Sequence, residues 1–212
     1  AVTGTHTNTG TFTVGTALSG AGTLANSGTG ILYIGGAATI TTLDASAAGN
    51  TVEFNGAGAQ TIPGTTYHHL TAGNGNTKTL GGNATINGDL TIGTGTTLAL
   101  STFTADRSSA GGTLTVNGTL SVGASFPVNF TNHDLTGGTV NYSAAGNQFV
   151  AGTTYGILLT SGTGTKTLAG PITVAGNLTI GAGTTLDVSA SNYAINAGGN
   201  WTTTGTFTAQ NG

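Results

Sequence analysis

The chain has 212 residues, of which 39 are glycine and 47 are threonine, and its formal net charge is −3. Only 4% of the residues are Asp, Glu, Lys or Arg, so hydroxyl, amide and backbone groups must hydrate most of the surface. Three basic residues are too few to neutralise a nucleic-acid backbone or to hold the protein on anionic lipid, and neither is an expected partner.

Two further absences narrow the class of protein. No apolar run approaches the roughly 18 residues of a spanning helix, so insertion into a membrane is not expected. The chain has no cysteine, which excludes disulfides, thiolate metal ligands and thiol nucleophiles. A lack of thiols is compatible with an exported bacterial protein.

The first 50 residues carry alternating threonines, at positions 3, 5, 7, 9, 11 and 13. This alternation is typical of a strand with hydroxyl and methyl groups on one face. Residues 7–13 (TNTGTFT) are similar to residues 202–208 (TTTGTFT), so we expect both ends to lie inside a repeat and to be uncapped. The residues expected to mediate end-to-end assembly are Thr9, Thr11 and Phe12 at one end and Thr204, Thr206 and Phe207 at the other.

Residues 51–138 and 139–212 are related at a constant offset of 88 residues, without a gap. The segment TTY at residues 65–67 recurs at 153–155, and TKTL at 77–80 recurs at 165–168, so Lys78 and Lys166 share a repeat position. The segment GDLTIG at 88–93 returns as GNLTIG at 176–181. The two copies are therefore homologous structural units.

Within each copy apolar residues recur every six positions, at Leu80, Ile86, Ile92 and Leu98 in the first. This spacing is not helical, and Gly and Thr are poor helix formers. Each step predicts a short strand followed by a Gly- or Asn-containing corner, and such strands bury their apolar side only by stacking coil upon coil.

The predicted fold is therefore an all-β, parallel β-solenoid (β-helix) with about six residues per side. Three or four sides per coil give about nine to twelve coils and a rod of about 50 Å. We expect residues 1–212 to form one such unit, in which residues 1–50 are a degenerate N-terminal portion.

Several segments resemble a known class of proteins. Residues 199–208 (GNWTTTGTFT) and 51–62 (TVEFNGAGAQTI) resemble the tandem repeats of very large bacterial secreted surface proteins. The GDLTI and GNLTI segments are similar to strand-and-corner units of β-helical adhesins and autotransporter passengers. The resemblance covers most of residues 51–212 and implies a parallel β-helical stalk on an exported, cell-surface protein.

Candidate binding residues are few. Tyr67 and Tyr155 share one repeat position, and Phe54 and Tyr142 share another. If exposed, Tyr67 and Tyr155 would be the first candidates for stacking on a sugar ring; the alternative is that they form buried aromatic stacks in the core.

The titratable residues do not predict catalysis or a cofactor. His68 and His69 are adjacent, so in a strand their rings point to opposite faces and chelate one metal ion poorly. The six acids are scattered, and a glycosidase would need two of them about 5 to 10 Å apart. Convergence of at least three of Glu53, Asp89, Asp106, Arg107 and Asp134 on one groove would indicate an enzyme. We expect no enzymatic activity, no cofactor and no metal.

The sequence thus predicts a structural extracellular protein, a stalk or filament segment that continues either covalently, as tandem repeats of one long chain, or by head-to-tail stacking of copies. Two alternatives remain open. One is an adhesin module that binds carbohydrate, and the other is an ice-binding protein with a Thr-rich face.

Overall fold

The computed structural model of the protein describes residues 1–210, which contain 28 short strands. Within that range no helix could span a membrane. The first fourteen strands are β1 (Thr5–Asn8), β2 (Thr11–Val14), β3 (Ala17–Asn26), β4 (Ile31–Ile34), β5 (Ala37–Asp44), β6 (Thr51–Phe54), β7 (Gln60–Ile62), β8 (Thr66–Tyr67), β9 (His69–Ala72), β10 (Asn76–Leu80), β11 (Ala84–Ile86), β12 (Leu90–Ile92), β13 (Thr96–Ala99) and β14 (Ala105–Asp106). The others are β15 (Gly111–Val116), β16 (Thr119–Val122), β17 (Phe130–Asp134), β18 (Thr139–Tyr142), β19 (Gln148–Val150), β20 (Thr154–Tyr155), β21 (Ile157–Thr160), β22 (Gly164–Leu168), β23 (Ile172–Val174), β24 (Leu178–Ile180), β25 (Thr184–Asp187), β26 (Ile195–Ala197), β27 (Trp201–Thr203) and β28 (Thr206–Thr208).

The strands pair in parallel and stack into a β-solenoid of about 10 turns, as the sequence predicts. Each coil has three faces. The first face holds the sheet β2-β4-β6-β9-β12-β15-β17 and then β20-β23-β26. The second holds the eight-stranded sheet that runs from β7 to β27. The third holds the sheets β1-β3-β5, β8-β11-β14 and β19-β22-β25-β28.

Backbone contacts join successive sheets on the same face. The Gly156 amide donates to the Leu135 carbonyl on the first face, at 3.0 Å. On the third face Ala45 forms a parallel bridge with Tyr67. The long strands β3 and β5 shift register at residues 20–23, where they turn from the second face onto the third. The three faces therefore follow one another around the axis throughout the described chain.

Alternation along each short strand builds the core. In β12, Leu90 and Ile92 are fully buried while Thr91 between them is half-buried, because neighbouring residues point to opposite sides of a strand. Side chains at matching positions then stack in columns along the axis. One column of the second face contains Gln60, Lys78, Leu98, Leu120, Val140, Leu158, Leu178 and Trp201.

Strands that correspond to each other in the two 88-residue repeats lie on different faces of the solenoid, one face apart. Strands β6, β9 and β12 lie on the first face, whereas their counterparts β18, β21 and β24 lie on the second. Likewise β7, β10 and β13 lie on the second face and β19, β22 and β25 on the third. The second copy is therefore rotated about the axis by one face, since the repeat spans four coils and one further side.

The alternating threonines near the two ends do not form single strands, contrary to the sequence-based expectation. Thr5 and Thr7 belong to β1 on the third face, and Thr11 and Thr13 belong to β2 on the first. The corner at residues 9–10 separates them, because Asn8 accepts the Gly10 amide through its side chain, at 3.2 Å. The corresponding threonines 202–208 are divided in the same way between β27 and β28.

Candidate functional site

Tyr67 and Tyr155, the candidates for glycan stacking, are completely buried. The Tyr67 hydroxyl donates to the Pro63 carbonyl at 2.8 Å, and the Tyr155 hydroxyl donates to the Ala151 carbonyl at 2.7 Å. Burial raises the pKa of both hydroxyls. These rings therefore cannot stack on a sugar. They lie in the core, which was the alternative expectation for them.

The second repeat adds a hydroxyl to this aromatic cluster. Tyr142, which stands where the first copy has Phe54, contacts the Tyr155 hydroxyl with its own at 2.9 Å and accepts the Ala151 amide at 2.9 Å. Burial raises the pKa of Tyr142 to about 12, against the lowering effect of its hydrogen bonds. The cluster is a satisfied core network rather than a binding surface.

The two adjacent histidines lie edge to face, with their ring centroids 4.3 Å apart. His69 Nδ1 lies 3.0 Å from the Asp89 amide nitrogen and 3.3 Å from Asp89 Oδ2. His68 Nδ1 is buried without a hydrogen-bond partner, and burial, followed by the neighbouring His69, lowers the pKa of His68. Among the described residues, no three His, Cys, Asp or Glu side chains are grouped closely enough to hold a metal.

The acidic residues lie at several places in the solenoid, some in strands and some at corners. Glu53 and Asp134 share an outward column of the first face, but Thr71, Thr91 and Thr115 stand between them. That separation is four coils, or about 19 Å. Glu53 and Asp134 therefore do not meet in one groove, whereas Arg107 lies near Asp89, since it donates to the Gly88 carbonyl. The lack of enzymatic activity stays a prediction.

Asp89 and Asp106 each accept a backbone amide from the next coil. Asp89 Oδ1 accepts the Thr113 amide at 2.8 Å, and Asp106 Oδ1 accepts the Val128 amide at 3.0 Å. Arg107 donates to the Gly88 carbonyl and, at 3.0 Å, to the Ser109 carbonyl. These side chains hold corners in place, which is a structural role.

Two lysines lie in the core, which the sequence analysis did not anticipate. Lys78 and Lys166 are fully buried, and burial lowers the pKa of each. The Lys166 ammonium donates to the Ala144 carbonyl at 2.9 Å, to the Gly146 carbonyl at 2.8 Å and to Gln148 Oε1 at 2.8 Å. Three oxygens thus replace the water that the ammonium loses.

A glutamine one coil earlier completes each of these sites. Gln148 Nε2 donates to the Val122 and Ala124 carbonyls, at 2.9 and 3.0 Å, and its Oε1 accepts the Ala144 amide at 3.0 Å. Each Gln–Lys pair therefore joins three successive coils through backbone groups. We call this arrangement the clamp.

The first repeat contains the same clamp. Gln60 donates to the Ile34 and Gly36 carbonyls, at 2.8 and 2.7 Å, and accepts the Gly56 amide at 2.8 Å. Lys78 donates to the Gly56 carbonyl and, at 2.9 Å, to the Gly58 carbonyl. The signal for burial is in the sequence, since Lys78 is two residues from the inward Leu80 and shares its side of the strand.

A surface groove passes over each clamp. The first, lined by residues 35–39 and 58–61, has a volume of about 280 Å³. The second, lined chiefly by residues 124–126 and 147–149, has about 340 Å³. Thr61 in the first copy corresponds to Phe149 in the second, which is 75% exposed, and Val128 beside it is 49% exposed. The second groove is therefore the more apolar of the two.

The end faces of the solenoid expose core positions. Phe12 pairs with the buried Leu32 and is itself 42% exposed, because no strand lies beyond β2 in the structure. At the opposite end Phe207 pairs with the buried Leu186 and is 37% exposed.

Trp201, which the sequence analysis did not single out, belongs to the same end face as Phe207. It pairs with the buried Leu178, is 40% exposed, and packs edge to face on Phe207 with ring centroids 4.9 Å apart. Of the other residues expected at the ends, Thr11 lies in β2 and Thr206 in β28, while Thr9 and Thr204 lie in corners. Both ends thus present an apolar patch and a row of backbone groups.

Comparison with known proteins yields no relative: no family model, no curated protein and no solved structure matches this chain significantly. The resemblance to repeats of bacterial surface proteins therefore rests on the quoted motifs and on the β-solenoid fold alone.

Proposed function

We propose that the protein is a structural β-solenoid, a stalk or filament segment whose end faces are covered by further parallel coils. The single observation that carries this proposal is the exposure of Phe12, Trp201 and Phe207 in positions that are buried core positions one coil further in. Exposed apolar side chains of this size, beside unpaired strand edges, favour pairing with another strand.

The interior supports the same role. The clamps at Gln60–Lys78 and Gln148–Lys166 join neighbouring coils by hydrogen bonds to backbone carbonyls. Such bonds stiffen the solenoid along its axis, which suits a stalk. The segments that form the end faces, residues 1–14 and 195–210, contain no Asp, Glu, Lys or Arg. Axial association therefore meets no repulsion between fixed charges.

Export to a bacterial cell surface is the finer part of the proposal, and it is supported by the motif resemblance and by the lack of cysteine. Antibody labelling of intact and permeabilised cells of the source organism tests it. Labelling of intact cells is the expected result, and labelling only after permeabilisation would contradict it.

Axial association is tested by sedimentation velocity over a concentration series. We expect the wild type to form elongated species that grow with concentration, and Phe207→Thr to shift this growth to at least tenfold higher concentration. Phe149→Thr is the matched control, because it removes an exposed phenylalanine from the side of the rod and should behave as the wild type. Growth that is abolished by Phe149→Thr and unaffected by Phe207→Thr would contradict the proposal.

Glycan binding through Tyr67 and Tyr155 is not proposed, because both rings are buried. Ice binding is a second candidate, favoured by one outward row of the second face. Thr77, Thr97, Thr119 and Thr139 stack there on four consecutive strands. The neighbouring row is mixed, since Thr79 is followed by Ala99, Ser121 and Asn141.

Thermal hysteresis measurements test this second function. Ice binding predicts hysteresis that is lost in the Thr97→Tyr/Thr119→Tyr variant and kept in Thr167→Tyr, a matched change on the third face. No hysteresis in the wild type would eliminate the candidate.

A further inference from the structure

We propose that one corner of the solenoid is acid-sensitive: it opens locally when His68 is protonated, while coils away from it stay closed. This histidine corner consists of His68, His69, Asp89 and Arg107. His68 and His69 lie where the chain passes from β8 on the third face to β9 on the first. The rod would thus have one place where mild acid weakens the contact between coils.

Titratable side chains are concentrated at this corner in a chain that has few of them. The whole sequence contains three basic residues, six acidic residues and four histidines. Two of the histidines lie here, Asp89 lies at the same corner one coil further on, and Arg107 lies one coil beyond Asp89. A change in protonation at this corner therefore acts on several neighbouring coils.

Backbone hydrogen bonds between coils pass through the two histidines. The His68 amide donates to the Ala45 carbonyl at 2.8 Å, and the His69 amide donates to the Asn50 carbonyl at 3.1 Å. On the other side, the Gly88 amide donates to the His68 carbonyl at 2.6 Å. A displacement of His68 therefore loosens the contacts with the coil before it and the coil after it.

The closed corner suits the neutral form of the His68 ring. Among the described residues, His68 Nδ1 is the one buried side-chain nitrogen or oxygen without a hydrogen-bond partner in the protein. A neutral imidazole leaves one nitrogen without a proton, whereas an imidazolium has an N–H on both nitrogens. Protonation in the closed corner would bury a charged donor that has no acceptor, which is costly.

The basic neighbours of His68 add to this cost. The ring of His69 meets that of His68 edge to face, with centroids 4.3 Å apart, so protonation of both would place two positive charges together. Arg107, which donates to the Gly88 carbonyl, also acts against a positive charge on His68. On the coil before, residues 45–50 contain no titratable side chain.

The acidic neighbours compensate little, because each is engaged elsewhere. Asp89 favours the charged form of His68, but its Oδ1 accepts a backbone amide of the next coil at 2.8 Å and its Oδ2 lies 3.3 Å from His69 Nδ1. Asp106 accepts a backbone amide at 3.0 Å, and Asp44 does so at 3.2 Å. No carboxylate is therefore left to pair with the His68 ring alone.

The direction of the pH effect follows from these contacts. Burial, and after it the neighbouring His69, lowers the pKa of His68 in the folded protein. A histidine in an opened segment ionises near pH 6.5, so the open corner binds more protons than the closed one. The contribution of His68 to closure is complete above about pH 6.5 and is lost as the pH falls below that value.

Hydrogen exchange at about pH 7.5 and about pH 5, with each rate divided by the intrinsic rate at that pH, tests the proposal. We expect opening at residues 68–70 and 87–89 to increase by at least about threefold in acid, with an upper limit of about thirtyfold set by the pKa of an opened histidine. Amides of β22 and β25 should keep their protection, because each coil contacts only its neighbours.

Two phenylalanine variants assign the effect. His68→Phe keeps an aromatic ring against His69 but cannot be protonated, so it should abolish the increase. His133→Phe is the matched control and should retain it, since His133 also packs edge to face on an aromatic ring, that of Phe126, with centroids 5.3 Å apart.

An increase that persists in His68→Phe, or that disappears in His133→Phe, would overturn the role of His68. An equal loss of protection in β22 and β25 would overturn the local opening. A nuclear magnetic resonance titration of the histidine rings in the wild type needs no variant. We expect His68 to be half-protonated below about pH 6.5, and a midpoint at or above that value would also overturn the proposal.

Discussion

Lys166 keeps its amine in the core by replacing water with three protein oxygens, two of which are backbone carbonyls of the preceding coil. Its desolvation is costly, so the benefit must come from the corner that it holds. Without the ammonium, the carbonyls of Ala144 and Gly146 would each lose one hydrogen bond. The clamp therefore stabilises the contact between neighbouring coils.

The first prediction concerns the two clamps. Lys166→Met and Gln148→Leu should each lower the free energy of unfolding by about 1 to 3 kcal/mol, because buried polar groups lose their partners. Their double-mutant cycle should show a coupling of about 0.5 to 3 kcal/mol, since Nζ and Oε1 are 2.8 Å apart. The Gln60–Lys78 cycle should give a smaller value, because Lys78 donates to carbonyls only. Urea titrations measure both.

Leu186→Met, in the same column as Lys166, is the control for side-chain shape and should cost about 1 kcal/mol or less. A coupling that is absent at Gln148–Lys166, or larger at Gln60–Lys78, would refute this account of the clamp.

The second prediction concerns pH. Burial raises the pKa of Tyr67, Tyr142 and Tyr155, to about 12 for Tyr142. An unfolded chain ionises its tyrosines near pH 10 and then binds fewer protons than the folded chain. The tyrosine contribution to stability is thus complete below about pH 10 and is lost as the pH rises toward the folded pKa.

Thermal unfolding at several pH values above 10 should therefore show a falling melting temperature, with a shallower fall in Tyr67→Phe. Lys78 and Lys166, whose pKa burial lowers, act in the opposite sense up to about pH 10.5, so the comparison between wild type and Tyr67→Phe isolates the tyrosine effect. Identical slopes for the two proteins would contradict the assignment.

At the scale of single residues, the alternation along each strand predicts the burial of polar side chains as well as apolar ones. Lys78 and Gln60 share the inward side of their strands with Leu80 and Ile62, so their burial was predictable from the period of two. The carbonyl partners were not, because they come from corners on the preceding coils. The same holds for Tyr67, whose hydroxyl finds the Pro63 carbonyl only once the corner has formed.

At the scale of elements, the corners that precede the first-face strands are held by an asparagine ladder. Asn8 Nδ2 donates to Asn26 Oδ1 at 2.7 Å, and Asn26 Nδ2 donates to Asn50 Oδ1 at 3.2 Å. Asn26 and Asn50 are buried, and Asn26 Nδ2 also reaches the Gly30 and Thr51 carbonyls. The ladder joins the first three coils in the way that the clamps join later ones.

The third prediction is that Asn26→Ala loosens these coils alone. It removes the Asn26 amide bonds to the Gly30 and Thr51 carbonyls and to Asn50 Oδ1, at a total cost of about 1 to 3 kcal/mol. Because each coil of a solenoid contacts only its neighbours, the effect should stay local. Hydrogen exchange should quicken in β3 and β4 and stay unchanged in β22 and β25. Uniformly faster exchange would contradict this local view.

Elements were predictable where their signal is local. The six-residue apolar step and the Gly and Asn corners predicted short parallel strands, since each strand needs only alternation and a turn. The assignment of strands to faces was not predictable in the same way. The threonine run is split at residues 9–10, and the second repeat is rotated by one face. Both features depend on how many residues each corner contains.

At the scale of the whole molecule, the protein is a rod of about 10 turns with an apolar core that reaches both end surfaces. Its long sides are covered mostly by threonine, serine and asparagine, apart from the apolar groove at Phe149 and Val128. The ends combine open strand edges with Phe12, Trp201 and Phe207. The open strand edges are the physical basis for the proposed axial growth, because a contact that does not close on itself forms an open fibre.

The most direct test of the central claim is cryo-electron microscopy of the purified protein over a concentration series. We predict that concentrated samples contain fibres of three-sided cross-section, with strands spaced about 4.8 Å along the axis and a subunit repeat near 50 Å. Short rods of single-chain length at every concentration would contradict the account.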